Sequence, residues 1–393
     1  MKFFLILFLL CIAAISLLEA SIMFNYSRNE KTYVGINVDW GDPEAMVWFI
    51  PATDNNYGRV YFGFTDNAAQ SGMNDQGLIY GRFATESLEI TQSLGKPVYN
   101  DNLLDKIMAE CATVKEALKL LENYNLEFFH DFQIMLVDKH ANSAIVEGDI
   151  IHRKTGNYQI VTNFLISQYE NEDRYPCYRY QIARAMLTDQ GLSLELMRKI
   201  LAATHQEIEY PTQFSCIYDL LNGIIFLYNF HDFENTVRIN LKEALLQGEH
   251  IIKMADLFPR CFAYEDYCVR RPAPVSLEIE RIINAEGIAR AVTEYEKIRD
   301  LCDRRCGFDM AERHLDKLGH KLLEQGRSDE AVTVFKLNLE TYNNSWKAFE
   351  SLAEAYMLQG NITLAREHFL ESIELNPNNI KAKENLVKLG AIH

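Results

Sequence analysis

Positive charge is scarce in this 393-residue chain: 39 Lys and Arg stand against 55 Asp and Glu, a formal charge of −16. An acidic chain of this kind repels phosphate backbones, and no basic cluster interrupts it, so nucleic acid is excluded as a partner. Metal-binding spacings are missing as well. No His-Glu-x-x-His occurs, and the eight cysteines fall into no strong zinc pattern. Mean hydropathy is −0.16, too low for a protein that crosses a membrane many times. What is present is ordinary globular composition, 48% hydrophobic and 24% charged. The length suggests about two to three domains.

The first twenty residues are the exception. Lys2 precedes an unbroken apolar run from Phe3 to Ile15, followed by Ser16, Leu17, Leu18, Glu19 and Ala20. A basic residue, a short apolar core and a small terminal residue describe a secretory signal peptide. The alternative is an uncleaved anchor, but Phe3 to Leu18 is 16 residues, short of the roughly 20 that span a bilayer. Cleavage after Ala20 would leave Ser21 first, place the protein outside the cell or in a periplasm, and leave no stable membrane span. Cys11 would depart with the signal. Among the rest, Cys261/Cys268 and Cys302/Cys306 are close enough to form disulfides, while Cys111, Cys177 and Cys216 suit buried thiols.

From Ile22 to about Leu257 short β-rich runs alternate with helical patterns. Phe24–Ser27, Lys31–Asn37, Met46–Ile50 and Val60–Phe64 read as strands, and Met73–Tyr80 as a turn entering one. Asn102–Asn123 carries helical periodicity on one broad face, from Leu103 to Leu121. Phe132–Val137 with Ser143–Glu147, and Ser215–Tyr218 with Ile224–Tyr228, read as strand pairs. Tyr158–Thr162 is a strand; Tyr178–Leu187 and Leu194–Ala203 are helices. The pattern predicts a layered α+β domain. Residues 259–275, with Pro259, Pro272 and Pro274, read as an irregular linker.

Beyond the linker, residues 276–393 are helical and contain a repeat. At an offset of 34, Leu318 falls on Leu352, Gly326 on Gly360, Ala331 on Ala365 and Phe335 on Phe369. Units 312–345 and 346–379 resemble tetratricopeptide repeats, with small residues where paired helices cross and aromatics filling the groove. Ile380–Leu389 would cap them, and Ile288–Ile298 reads as a worn earlier repeat. A generic helical bundle is the plainer alternative. Such repeats imply a protein or peptide partner.

The front domain, residues 21–258, is similar to the choloylglycine hydrolase and penicillin acylase family of N-terminal-nucleophile amide hydrolases. The resemblance rests on Ser21-Ile-Met-Phe-Asn-Tyr, Val34-Gly-Ile-Asn-Val-Asp39-Trp40, Gly72-Met-Asn-Asp-Gln-Gly-Leu78, Val161-Thr-Asn163, Tyr178-Arg179-Tyr180 and Thr212-x-Phe-Ser-Cys-Ile-Tyr218-Asp219. It implies a four-layer αββα fold, hydrolysis of linear non-peptide C–N bonds in a small acyl-amide substrate, and no cofactor or metal. It also implies that the first residue of the processed chain is the nucleophile. A free α-amine has a pKa of about 7.7–8.0, so it can accept that residue's own proton at neutral pH. Ser21 stands where the family usually has cysteine. Asp39 would orient the amine, Asn163 would donate to the oxyanion beside a backbone N–H near Phe83–Ala84, and Arg179 would anchor the site. Ile36 replaces the family's usual arginine.

Each residue also has a plain role. Ser21 suits a small residue beside a cleavage site, Asp39 a cap before Gly41-Asp42-Pro43, Asn163 a strand-end turn, and Arg179 a solvated helix face. Asn74 and Gly77 suit a turn. Taken that way, the domain is a retired enzyme, and the protein binds partners through its repeats. An acyltransferase would use the same site with an amine, in place of water, taking the acyl group.

Overall fold

β1 (Ile22–Arg28) and β2 (Lys31–Asp39) open the fold as a hairpin. Both turn residues, Asn29 and Glu30, have positive φ, the primed geometry that suits a two-residue hairpin loop. The computed structural model describes every residue except 1–20, 65–68, 89, 94, 100, 208–209, 303–307, 378 and 391–393. The expected signal peptide and the Cys302/Cys306 pair therefore lie outside the described residues or side chains.

A meander follows through β3 (Ala45–Ile50), β4 (Arg59–Phe64), β5 (Ala69–Asn74) and β6 (Leu78–Ala84). Helices α1 (Leu103–Glu110) and α2 (Val114–Leu121) lead to β7 (Phe132–Asp138), β8 (Ser143–Glu147), β9 (Ile150–Arg153) and β10 (Tyr158–Val161). Then come α3 (Tyr178–Asp189), α4 (Leu194–Thr204), β11 (Thr212–Asp219), β12 (Ile224–Asn229), β13 (Val237–Asn240), α5 (Leu241–Leu245) and β14 (His250–Lys253). The strands form two antiparallel sheets, ordered β10-β1-β2-β11-β12-β13 and β14-β3-β4-β5-β6-β7-β8-β9.

Alternation along the strands builds three apolar layers. Met23, Val34, Ile36, Phe62, Phe83 and Phe214 share the core between the sheets. Ile22, Phe24 and Tyr26 face outward onto Tyr180, Leu187, Ile200 and Leu201 of α3 and α4. Leu78, Tyr80 and Leu136 face the other way onto Leu104, Ile107 and Leu118 of α1 and α2. This is the expected αββα arrangement.

Two details differ from the sequence reading. Asn102–Asn123 is two helices, not one. Thr113 caps α2 by accepting from Glu116 N–H, and the Asn74 side-chain amide donates to the carbonyls of Met108 and Cys111 at the break. Asn74 Oδ1 also accepts from Gln76 and Leu78, so its polar atoms are occupied in shaping the turn. The stretch read as an irregular linker contains α6 (Phe262–Arg270), and Cys261 and Cys268 remain thiols.

The chain divides into two compact units after Asp266. The second contains α7 (Val275–Glu286), α8 (Ile288–Cys302), α9 (Glu312–Glu324), α10 (Ser328–Thr341), α11 (Trp346–Leu358), α12 (Ile362–Leu375) and α13 (Ile380–Lys388). α9–α10 and α11–α12 are the two predicted helix pairs, with α13 after them. Ala331, Ala365, Phe335 and Phe369 are fully buried at equivalent positions, and so are Ala291 and Tyr295 of the preceding hairpin α7–α8. At Gly319 the close crossing is explicit: a Cβ there would sit 2.4 Å from the Phe335 ring.

Candidate active site

Strand register brings the predicted residues to one end of the six-stranded sheet. Ile22 pairs with Asn37 across the hairpin, so Ser21 adjoins the end of β2. On its other side Met23 pairs with Val161. That is the last pair of β1 with β10; Ser21 and Asn163 each lie two residues beyond it, past the ends of the two strands. The backbone N–H of Asp39 donates to Ser21 Oγ at 3.2 Å, and Ser21 is only 8% exposed.

The Asp39 carboxylate is sealed, with the residue 1% exposed. Arg179 Nη1, from the first turn of α3, donates to Oδ2 at 2.6 Å, and Gln206 Nε2 donates to the same oxygen at 3.0 Å. Thr212 Oγ1 donates to Oδ1. Burial pushes the Asp39 carboxyl above its ordinary range, against the opposing pull of Arg179, Thr212 and Gln206. Arg179 loses from its own burial but is held up by the Asp39 charge. It is 2% exposed, so the solvated-face reading of Arg179 does not hold.

A bulge makes the Thr212 contact possible. Thr212 pairs with Asp39 and Phe214 with Val38, leaving Gln213 as the extra residue. Gln213 Nε2 secures the kink by donating to the carbonyls of Trp40 and Pro211.

Asn163 is held between the sheets. Its Nδ2 donates to Ala84 O at 2.8 Å, using one of two N–H bonds, while its Oδ1 is buried without a partner. Gln133 Nε2 donates to the carbonyls on either side of it, Thr162 at 2.8 Å and Phe164 at 2.9 Å. Past Asn163 the chain is gripped by Glu147, which accepts from the N–H groups of Ile166 at 2.6 Å and Ser167 at 3.1 Å. Burial pushes the Glu147 carboxyl up, but hydrogen bonds from His152, Ser167 and Ile166 outweigh it and hold its pKa low. Half-buried Phe164 then begins an aromatic cluster with Tyr169, Tyr175 and Tyr180, ring centroids 4.9–5.9 Å apart.

Ser21, Asp39 and Arg179 are therefore linked directly, while Asn163 follows the strand paired with β1 and bonds to Ala84 O. Thr212, Gln206, Gln133 and Glu147 were not assigned roles from sequence, although Thr212 opens one of the quoted motifs. Ile36 is fully buried in the core between the sheets, so the family's usual cation is absent from that position. Among the described residues, no group of three or more His, Cys, Asp or Glu side chains could hold a metal. No described helix is long and apolar enough to cross a membrane.

The tetratricopeptide repeat family matches residues 346–379. The chain is similar in structure to penicillin V acylase from Agrobacterium tumefaciens, with 17% identity over 56% of this chain and 86% of that one, TM-score 0.43. It is also similar to two substituted forms of conjugated bile acid hydrolase from Clostridium perfringens. One gives 16% identity over 59% and 95% of the two chains, TM-score 0.45. The other gives 15% identity over 62% and 97%, TM-score 0.46. No curated protein sequence matches. At such identities the site assignment rests on the geometry described above.

Proposed function

We propose that the front domain hydrolyses linear, non-peptide amide bonds with Ser21 as an N-terminal nucleophile, after export and cleavage behind Ala20 in a secreted or periplasmic protein. The observation that supports this reading is the hydrogen bond from the Asp39 N–H to Ser21 Oγ, with Asn163 two residues beyond the end of β10, the strand paired with β1. As Oγ attacks the carbonyl carbon, the freed α-amine accepts the hydroxyl proton. Asn163, through its second N–H, and a backbone N–H stabilise the oxyanion. The C–N bond breaks, the amine leaves with that proton, and water releases the acyl group from Ser21. Asp39 Oδ1 keeps acceptor capacity beyond its bond from Thr212, enough to orient the α-amine.

Intact-mass measurement on exported protein and a screen of acylated amines test this reading. A chain beginning at Ser21, with turnover that Ser21→Ala abolishes, supports it. Retention of Leu17–Ala20 sinks the self-base mechanism.

Ile36 favours a second reading. An apolar residue where the family has an arginine fits a retired domain whose repeats hold a protein or peptide. A chain beginning at Ser21 that turns over no acylated amine would favour it. An acyltransferase differs only in whether an amine or water takes the acyl group, and added amine acceptors separate the two.

A further inference from the structure

The outer face of the eight-stranded sheet is left uncovered at its β14 edge. There Trp48 and Ile50 of β3 and Ile251 of β14 floor a cavity of about 290 Å³, with Ile251 directly across from Trp48. Asp101 and Asp105 at the start of α1 and Glu249 beside β14 also line it.

The charges in this cavity do not cancel. Arg59 is committed: it donates to Asp105 at 2.7 and 3.0 Å, to Tyr61 Oη at 3.1 Å and to Tyr57 O at 3.3 Å. Asp105 therefore neutralises Arg59, while Asp101, which accepts from the Asn102 N–H at 2.7 Å, and Glu249 have no ion pair among the described residues. His250 is turned to other uses, its Nδ1 donating to Gly248 O and its ring stacked on Phe49 at 4.6 Å. An anion entering here would meet the Asp101 and Glu249 carboxylates and a guanidinium already paired with Asp105. A cation would meet complementary charge, with Trp48 among the residues that line the cavity.

From this we infer a binding site for a small amphipathic amine, a protonated nitrogen on an aryl or alkyl body. The apolar body lies on Trp48, Ile50 and Ile251, and the ammonium group faces Asp101 and Glu249. The volume is at the small end of the roughly 300–1,000 Å³ range of small-molecule sites. It suits a compact amine and is too small for a folded peptide segment. The site uses none of the residues around Ser21, so it stands or falls independently of the proposed hydrolysis.

Isothermal titration calorimetry of the full mature chain with 2-phenylethylammonium chloride tests it. Saturable one-site binding is expected, at least tenfold tighter than for 2-phenylethanol or 3-phenylpropionate, and weakened by added salt. The Asp101→Asn/Glu249→Gln double variant changes exposed side chains and so keeps the fold; it should weaken binding tenfold or more. Trp48→Leu should weaken it as well, while Ser21→Ala should leave it unchanged. Absence of saturable heat, equal binding of the neutral alcohol, or an unaffected double variant would overturn the proposal. So would loss of binding in Ser21→Ala.

Discussion

Arg179 Nη1 meets Asp39 Oδ2 at 2.6 Å, with both side chains almost sealed from water. The pair joins the first turn of α3 to the end of β2, beside Ser21. Breaking a buried pair from one side leaves the other charge uncompensated, which costs about 3–5 kcal/mol. Arg179→Met should therefore destabilise the protein by about that amount in urea unfolding. Arg179→Met with Asp39→Leu should regain much of the stability and none of the site. A loss below about 1 kcal/mol in the single variant would mean the pair is relaxed or solvated.

Substitutions at Ser21 and Asn163 separate the chemistry from the scaffold. Ser21→Ala removes one hydroxyl and should abolish amide turnover with binding largely intact. Ser21→Cys supplies a thiol, a stronger nucleophile, and should preserve or raise activity. The apolar Ile36 moderates that gain, because a thiolate there has no neighbouring guanidinium. Asn163→Ala should slow turnover on the order of 10²–10³-fold, or about 3–4 kcal/mol. Turnover unchanged in both Ser21→Ala and Asn163→Ala would place the activity elsewhere.

How legible the molecule was from its sequence depended on the range of the interaction. The repeats were readable because their packing is local and periodic: Ala331 and Ala365, Phe335 and Phe369 recur at one spacing and bury in equivalent places. The break between α1 and α2 was not. Leu103 to Leu121 keep a continuous apolar face, and the interruption is fixed partly by Asn74, which is 34 and 37 residues from the carbonyls it holds. At the site, the four predicted residues emerged through family resemblance. Thr212 and Gln206 reach Asp39 across 173 and 167 residues, a relationship that strand pairing creates and spacing does not announce. Gln133 and Glu147 were hidden for another reason. They hold backbone groups around Asn163, and backbone partners leave no side-chain signature.

Gly319 tests the repeat packing by a contest of two effects. Gly→Ala inside a helix ordinarily stabilises by about 1 kcal/mol. Here the added methyl would lie 2.4 Å from the fully buried Phe335 ring. Overpacking of this kind costs about 1–3 kcal/mol. Gly319→Ala should therefore lower the melting temperature of the helical unit, and adding Phe335→Leu should recover part of the loss. A rise in melting temperature for Gly319→Ala would show that the α9–α10 crossing is looser than described.

Glu147 should give the Asn163 segment an acid-sensitive anchor. Its carboxylate is held below the ordinary range by His152 and the N–H groups of Ser167 and Ile166, despite burial. A depressed carboxylate pKa means that the folded state binds its proton less readily than the unfolded chain does. The stabilisation is therefore complete above the unfolded value of about 4.3. It declines as pH falls below that, and is gone once pH has passed through the lowered folded value. Glu147→Gln removes the charge and one of the good acceptors, so at pH 7 it should lose about 1.5–3 kcal/mol, the range for hydrogen bonds to charged groups. The variant should also show a flatter decline in stability below pH 5. Because Glu147 touches the chain three residues past Asn163 and not Asn163 itself, kcat should fall more than KM rises. Urea unfolding at pH 7 and pH 4, run beside steady-state kinetics, reads both effects. Parallel acid limbs in the two proteins would show that Glu147 carries no linked proton.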